Sequence, residues 1–151
     1  MTGVQTCALP IYLGYSAGID FESKILVKER AAELLEKQLS SPRYRCKVLV
    51  MSGATDSYQP VERKLKITRA CLEVLARFRN PVVVITKNDL VTRDLDHLGE
   101  LAKFGAVAVF SSITSLAPKL ARILEPRASS PRSRLKAIGR LAEASVPVGV
   151  S

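Results

Sequence analysis

The sequence predicts an α/β fold on a parallel sheet, and two observations predict it. Four runs, KVLVMS (47–52), PVVVIT (81–86), AVAVFS (106–111) and VPVGV (146–150), are apolar without alternation, as strands buried on both faces must be. The segments between them carry apolar residues at helical spacing, so strand and helix alternate along the chain.

Taken in order, KILVK (24–28) is a short β-branched run, followed by AAELLEKQL with Ala31, Leu34, Leu35 and Gln38 at helical spacing. After the strand KVLVMS, Pro60 opens a helix whose Val61, Leu65, Thr68, Leu72 and Leu75 share one stripe. PVVVIT leads into a helix carrying Leu95, Leu98 and Leu101. Behind AVAVFS, Leu116, Leu120 and Ile123 mark one helix. Ser130 and Pro131 read as N-cap and first helical residue of another, bearing Leu135, Ile138 and Leu141. VPVGV starts a further strand at which the sequence stops, which leads us to expect a fragment cut at both ends. Repeated βα units suit either a barrel or an open doubly wound sheet. In both, chemistry gathers where strands end. Those ends are polar here: Ser52, Gly53, Ala54, Thr55 and Asp56; Thr86, Lys87 and Asn88; and Ser111, Ser112, Ile113 and Thr114.

At 151 residues, 47% hydrophobic and 25% charged, the chain is the size of one domain with a real core. No apolar run approaches the ~20 residues of a membrane span, and no secretory leader pattern opens the chain. The expectation is a cytoplasmic protein without a membrane partner. Cys7, Cys46 and Cys71 are too scattered for a disulfide framework or a zinc site, so no metal ligand is assigned. The net charge of +9 raises the odds of a nucleic acid partner. Because Lys64, Lys66 and Arg69, and then Arg122, Arg127, Arg132, Arg134, Lys136 and Arg140, are spread out, a solvated face is the reading for most of them.

The first eleven residues, MTGVQTCALPI, read as the in-frame translation of a short-read library adapter. The alternative is a genuine leader or edge strand. We set residues 1–11 aside from fold reasoning and treat 12–151 as the domain fragment. None of the eleven is charged, so the positive charge belongs wholly to the rest.

The most specific stretch is SGATDSYQPVERKLKITRACLEVL (52–75). YLGYSAGIDFESKILVK precedes it, and PVVVITKNDLVTRDLD, LEPRASSPRSRLKAI and VPVGVS follow in order. Together these resemble the spore photoproduct lyase-like, DNA repair photolyase-like branch of the radical S-adenosylmethionine (radical SAM) enzymes, over essentially residues 12–151. The resemblance implies a partial parallel (β/α) barrel and an intact parent that binds S-adenosylmethionine and a 4Fe-4S cluster. Such a parent takes electrons from a donor and generates a 5′-deoxyadenosyl radical, with a DNA lesion as the suggested substrate. The family's C-x-x-x-C-x-x-C loop, whose thiolates hold the cluster, has no counterpart here. The fragment alone is therefore expected to be inactive and to bind neither cofactor stably.

By the same resemblance, residues 52–56 stand where the family's glycine-rich turn receives the methionine amino group, with Asp56 near its charge. The competing reading is a plain β-to-α turn with Asp56 as a cap. Ser52 or Ala54 stands where family members more often have a second glycine. Thr86, Lys87, Asn88, Ser111, Ser112 and Thr114 resemble positions facing ribose or substrate, and equally suit helix caps; for Ser115 the cap is preferred. Arg127, in Glu125–Pro126–Arg127, is suited to a carboxylate or phosphate, or to a surface ion pair. His97 reads as an exposed helical residue, and no catalytic residue is assigned.

A rival reading starts from VVVITKND. Thr86 to Asp89 resembles the TKxD guanine-recognition signature of small GTPases, with SSITS (111–115) as a second base-contact loop. No GxxxxGK[ST] phosphate loop accompanies it.

Overall fold

The computed structural model describes residues 27–52 and 55–151. The chain runs α1 (Ala31–Leu39), β1 (Leu49–Met51), α2 (Glu62–Leu65), α3 (Ile67–Phe78), β2 (Val82–Thr86), a 3-10 turn (Asp89–Asp94), α4 (Leu95–Ala102), β3 (Val107–Ser111), α5 (Pro118–Leu124), α6 (Pro131–Glu143) and β4 (Val148–Val150). The predicted strand at 24–28 falls mostly outside the described residues, and its last two residues, Val27 and Lys28, are not in a strand.

The four strands form one sheet in the order β1-β2-β3-β4, and every pairing is parallel. Sequential order decides between the two architectures left open above. A doubly wound sheet reverses direction at a switch point, whereas an unreversed run of right-handed crossovers keeps its helices on one side. Burial agrees. Val82, Val84 and Thr86 of β2, and Val107, Val109 and Ser111 of β3, are buried, while their alternates Val83, Ile85, Ala108 and Phe110 are only half-buried or exposed. One face is covered by helices, and among the described residues the other is bare, as the inner face of a partial barrel is. On it Phe110 lies over Gly149, its partner in register, so closely that a Cβ there would meet the ring at 2.8 Å.

The passage from helix to strand is built the same way three times. The segments LARFRNPVVV (75–84), LAKFGAVAVF (101–110) and LAEASVPVGV (141–150) align residue for residue. In each the fifth residue is left-handed: Arg79 (φ 52°), Gly105 (φ 60°) and Ser145 (φ 57°). In each, the N–H of the sixth residue returns to the carbonyl of the first, as Asn80 to Leu75, Ala106 to Leu101 and Val146 to Leu141, all at 3.0 Å. This bond satisfies a helix carbonyl that would otherwise be orphaned. It also seats the leading leucine and the sixth residue in the core, where all six are buried.

Some helical stripes differ from expectation. The helix opened by Pro60 is two helices, because Lys66 adopts φ 53° between them. The break resets the phase, so Thr68, Leu72 and Leu75 are buried while Leu65 is exposed. The helix expected around Leu116 begins at Pro118, and Leu116, Leu120 and Ile123 are exposed, Ile123 at 76%; only Ala121 of that helix is buried. In α1 Leu39 is buried and Leu34 exposed. α6 begins as read, with Ser130 accepting from Ser133 N at 3.1 Å and Pro131 next. Its buried face is Pro131, Arg134, Ala137 and Leu141, with Leu135 outside.

Candidate functional site

Parallel pairing brings the carboxyl ends of β1, β2 and β3 to one edge of the sheet. Ser52 leaves β1 with φ 94°, and its hydroxyl donates to the Thr55 carbonyl at 3.1 Å. Gly53 and Ala54 lie outside the described residues. Asp56 then fastens the turn to β2: one carboxylate oxygen accepts from Tyr58 N (2.8 Å) and the Thr86 hydroxyl (2.7 Å), the other from Lys87 N (2.7 Å). The turn reading of Asp56 thus accounts for three of its roughly four acceptor positions. The next residue, Ser57, has a buried hydroxyl oxygen without a hydrogen-bond partner.

The predicted β2 and β3 residues separate into two groups. Thr86 and Asn88 are buried. Thr86 accepts from Asn88 N at 3.0 Å, while the Asn88 side chain caps the 3-10 turn through Leu90 N and accepts from Ser129. Ser111 is buried as well. Lys87 and Thr114 instead flank Glu125, which follows α5. Thr114 donates to it at 2.7 Å, and the Lys87 ammonium lies at 2.9 Å. Ser112 shares a 2.9 Å hydroxyl contact with Ser151, beyond β4. Ser115 accepts from Ala117 N at 3.1 Å, so it braces the turn before α5 while Ala117 takes the cap position.

Arg134 holds this cluster from behind. Only 2% exposed, it donates to the Ser129 and Ser112 carbonyls (2.7 Å each) and to Glu125 (2.6 Å). Against the solvated face expected for most of the cations, it is the largest fully buried side chain described. Burial by itself pushes the Glu125 carboxyl up, but bonds from Thr114, Lys87 and Arg134 outweigh it and bring it down to about 2. A depressed folded-state value means stability present above the unfolded value near 4.5 and lost as pH falls through about 2. Acid titration monitored by circular dichroism is therefore expected to show part of the native stability of the chain disappearing between pH 4.5 and 2, with a smaller loss over that window in Glu125→Gln.

A second network, invisible in the periodicity, underlies YQPVE. Tyr58, with no exposed surface, donates to Asp94 at 3.1 Å. Asp94, itself 0% exposed, also accepts from Arg69 (3.0 Å) and twice from Arg93 (2.8 Å each). Arg93 reaches Glu62 at 2.8 Å, and Glu62 accepts from Thr68 N and Arg69 N. Its carboxylate thereby caps α3 across the Lys66 break, where no cap side chain is present. Tyr58, Glu62, Arg93 and Asp94 are therefore structural. The one signal that pointed to them was the specificity of their motif.

Cys7 lies outside the described residues, and neither Cys46 nor Cys71 belongs to the strand-end loops described above. Cys46 precedes β1, at the opposite end of the sheet, with its sulfur 3.8 Å from Asn80. Cys71 is buried within α3, and burial pushes its thiol up to about 11. Among the described residues no three His, Cys, Asp or Glu side chains gather as a metal site, and these two thiols do not fit an iron-sulfur cluster. His97, in α4, is mostly covered and lies 3.8 Å from Asp96. Arg127 is exposed and is not without a partner. No helix of the described residues is long and apolar enough to cross a membrane.

Comparison with known proteins fits this architecture. The model of the radical SAM superfamily matches residues 7–151. The chain is 31% identical over 127 residues to an uncharacterized protein of Mycobacterium tuberculosis, covering 84% of this chain and 37% of that protein. It is 31% identical over 122 residues to one of Methanocaldococcus jannaschii (80% and 43%), and 32% over 126 residues to one of Acidianus two-tailed virus (82% and 40%). It thus spans less than half the length of these relatives. No solved structure matches. The chain belongs to the radical SAM superfamily, which displaces the GTPase reading of Thr86–Asp89.

Proposed function

We propose that this segment supplies the S-adenosylmethionine-binding edge of a radical SAM enzyme, with the turn at residues 52–56 receiving the amino acid end of the cofactor. The observation that carries the reading is the gathering of that turn, Lys87, Ser112 and Thr114 at one carboxyl edge of a parallel sheet, where α/β ligands bind. The unpartnered Ser57 hydroxyl beside Asp56 adds a polar atom that a ligand would satisfy. A reduced 4Fe-4S cluster in such enzymes supplies the electron that cleaves S-adenosylmethionine into methionine and a 5′-deoxyadenosyl radical. This chain's described cysteines do not fit it, so its ligands are assigned to sequence outside this segment.

The finer reading is a cytoplasmic spore photoproduct lyase-like enzyme, served by an electron donor and acting on DNA lesions. Support for it comes from the TDSYQPVE resemblance and the positive charge. Anaerobic reconstitution with iron and sulfide tests the cofactor reading. The 151-residue chain is expected to develop no visible cluster absorption. A longer chain with a three-cysteine loop upstream of Tyr12 is expected to develop it and, with reductant, to release 5′-deoxyadenosine. A cluster on the short chain, or no deoxyadenosine from the long one, contradicts the reading.

A further inference from the structure

Beyond the sheet edge, α2, the 3-10 turn and α6 border an open groove. Arg63, Arg93 and Arg140 line one part of it, about 210 Å³, around Asp89 and Thr92. A contiguous part of about 290 Å³ shares Asp89, Thr92 and Arg140 and extends to Ser133 and Lys136. Arg93 is neutralised by Asp94 and Glu62. Arg63, Lys136 and Arg140 are exposed, and among the described residues none of them forms an ion pair. The facing carboxylate, Asp89, accepts from Ser129 at 2.7 Å. Three cations outside any ion pair therefore share a concavity with one carboxylate, which offsets only part of their charge.

That arrangement repels itself and focuses positive potential, which an anionic ligand would relieve. Arg140 is pinned by its bond to the Thr92 hydroxyl at 2.8 Å, and Thr92 in turn donates to the Asp89 carbonyl. Its guanidinium is thus held in place, with donors left for a bidentate contact. Lys136 and Arg140, four residues apart on α6, step about 6 Å along the groove. A row of cations in an open trough suits a chain of phosphates better than one enclosed anion. The groove also starts at Asp89, immediately past the Thr86–Asn88 strand end.

We propose that this groove binds the phosphodiester backbone of a nucleic acid, with Arg63, Lys136 and Arg140 as its phosphate contacts. It rests on the nucleic acid part of the proposed function and not on the cofactor chemistry. The test is anisotropy of a labelled oligonucleotide titrated with the 151-residue chain at several salt concentrations, without cofactor. The Lys136→Gln/Arg140→Gln double variant is expected to make the slope of log affinity against log salt shallower by about 1.4–1.8. A Lys119→Gln/Arg122→Gln control on α5 removes the same charge and is expected to leave the slope near that of the parent. All four positions are exposed, and thermal melts check that each variant is folded. Equal slopes in both doubles, no retention by the parent chain, or groove-dependent binding of inorganic phosphate alone overturns the proposal. Any of these leaves the cofactor reading standing, and failure to release deoxyadenosine would leave this slope unaffected.

Discussion

Arg134→Ala is expected to destabilise the chain by about 3–5 kcal/mol, the range for removing one partner of a buried ion pair. At this size that lowers the melting midpoint by roughly 10 °C. The cause is specific. The guanidinium satisfies the Ser112 carbonyl beyond β3, the Ser129 carbonyl before α6 and the Glu125 carboxylate at once. Truncation leaves two backbone acceptors and one oxygen of the Glu125 carboxylate without their donor, while the other oxygen keeps Thr114 and Lys87. Arg134→Lys keeps the charge but not the planar fork, so it is expected to recover only part of the loss. A chemical denaturation midpoint shifted by less than the equivalent of about 1 kcal/mol, the scale of an exposed pair, would show that the side chain is not buried as described.

Asp94→Ala is expected to cost a similar amount, about 3–5 kcal/mol, through a different core. Asp94 pairs with the guanidinium groups of both Arg69 and Arg93, and it also takes the Tyr58 hydroxyl. Its loss strands a buried phenol and takes from Arg69 and Arg93 their buried partner, leaving the first only the exposed Asp96 and the second only Glu62. The neighbouring Asp96, which pairs with Arg69 but is largely exposed, provides the comparison. Asp96→Ala is expected to cost less than about 1 kcal/mol. Equal urea midpoints for the two variants would refute the assignment of Asp94 as the centre of the network.

These two residues also mark where sequence reading stopped. The strands were legible because their apolar runs need no partner to be recognised, and the Ser130–Pro131 start of α6 was legible because a cap is local chemistry. That the described ends of β1, β2 and β3 share one edge follows from the parallel class alone. The Tyr58–Asp94 and Glu62–Arg93 contacts join residues 36 and 31 apart, and nothing in a helical stripe announces them. Charged residues were read as solvated because most are. Arg134 is an exception, since three acceptors converge on it. Lys66 was missed because a left-handed lysine inside a helical pattern has no local signature. The threefold helix-to-strand turn, by contrast, was present in the sequence as LARFRN, LAKFGA and LAEASV, and its signal is alignment of the chain against itself. Within the candidate site, sequence alone did not distinguish the buried Thr86, Asn88 and Ser111 from the accessible Lys87, Ser112 and Thr114. That division comes from strand alternation combined with the tie made by Asp56.

We propose that the carboxyl edge of this sheet grips S-adenosylmethionine. Hydrogen–deuterium exchange of the reconstituted long chain, with and without S-adenosylmethionine, tests it most directly. Slowed exchange is predicted in peptides covering residues 52–58, 86–90 and 111–115, with Cys46, Asn80 and Gly105 at the opposite end unchanged. Protection confined to that opposite end, or absent from the 52–58 turn, would contradict the account.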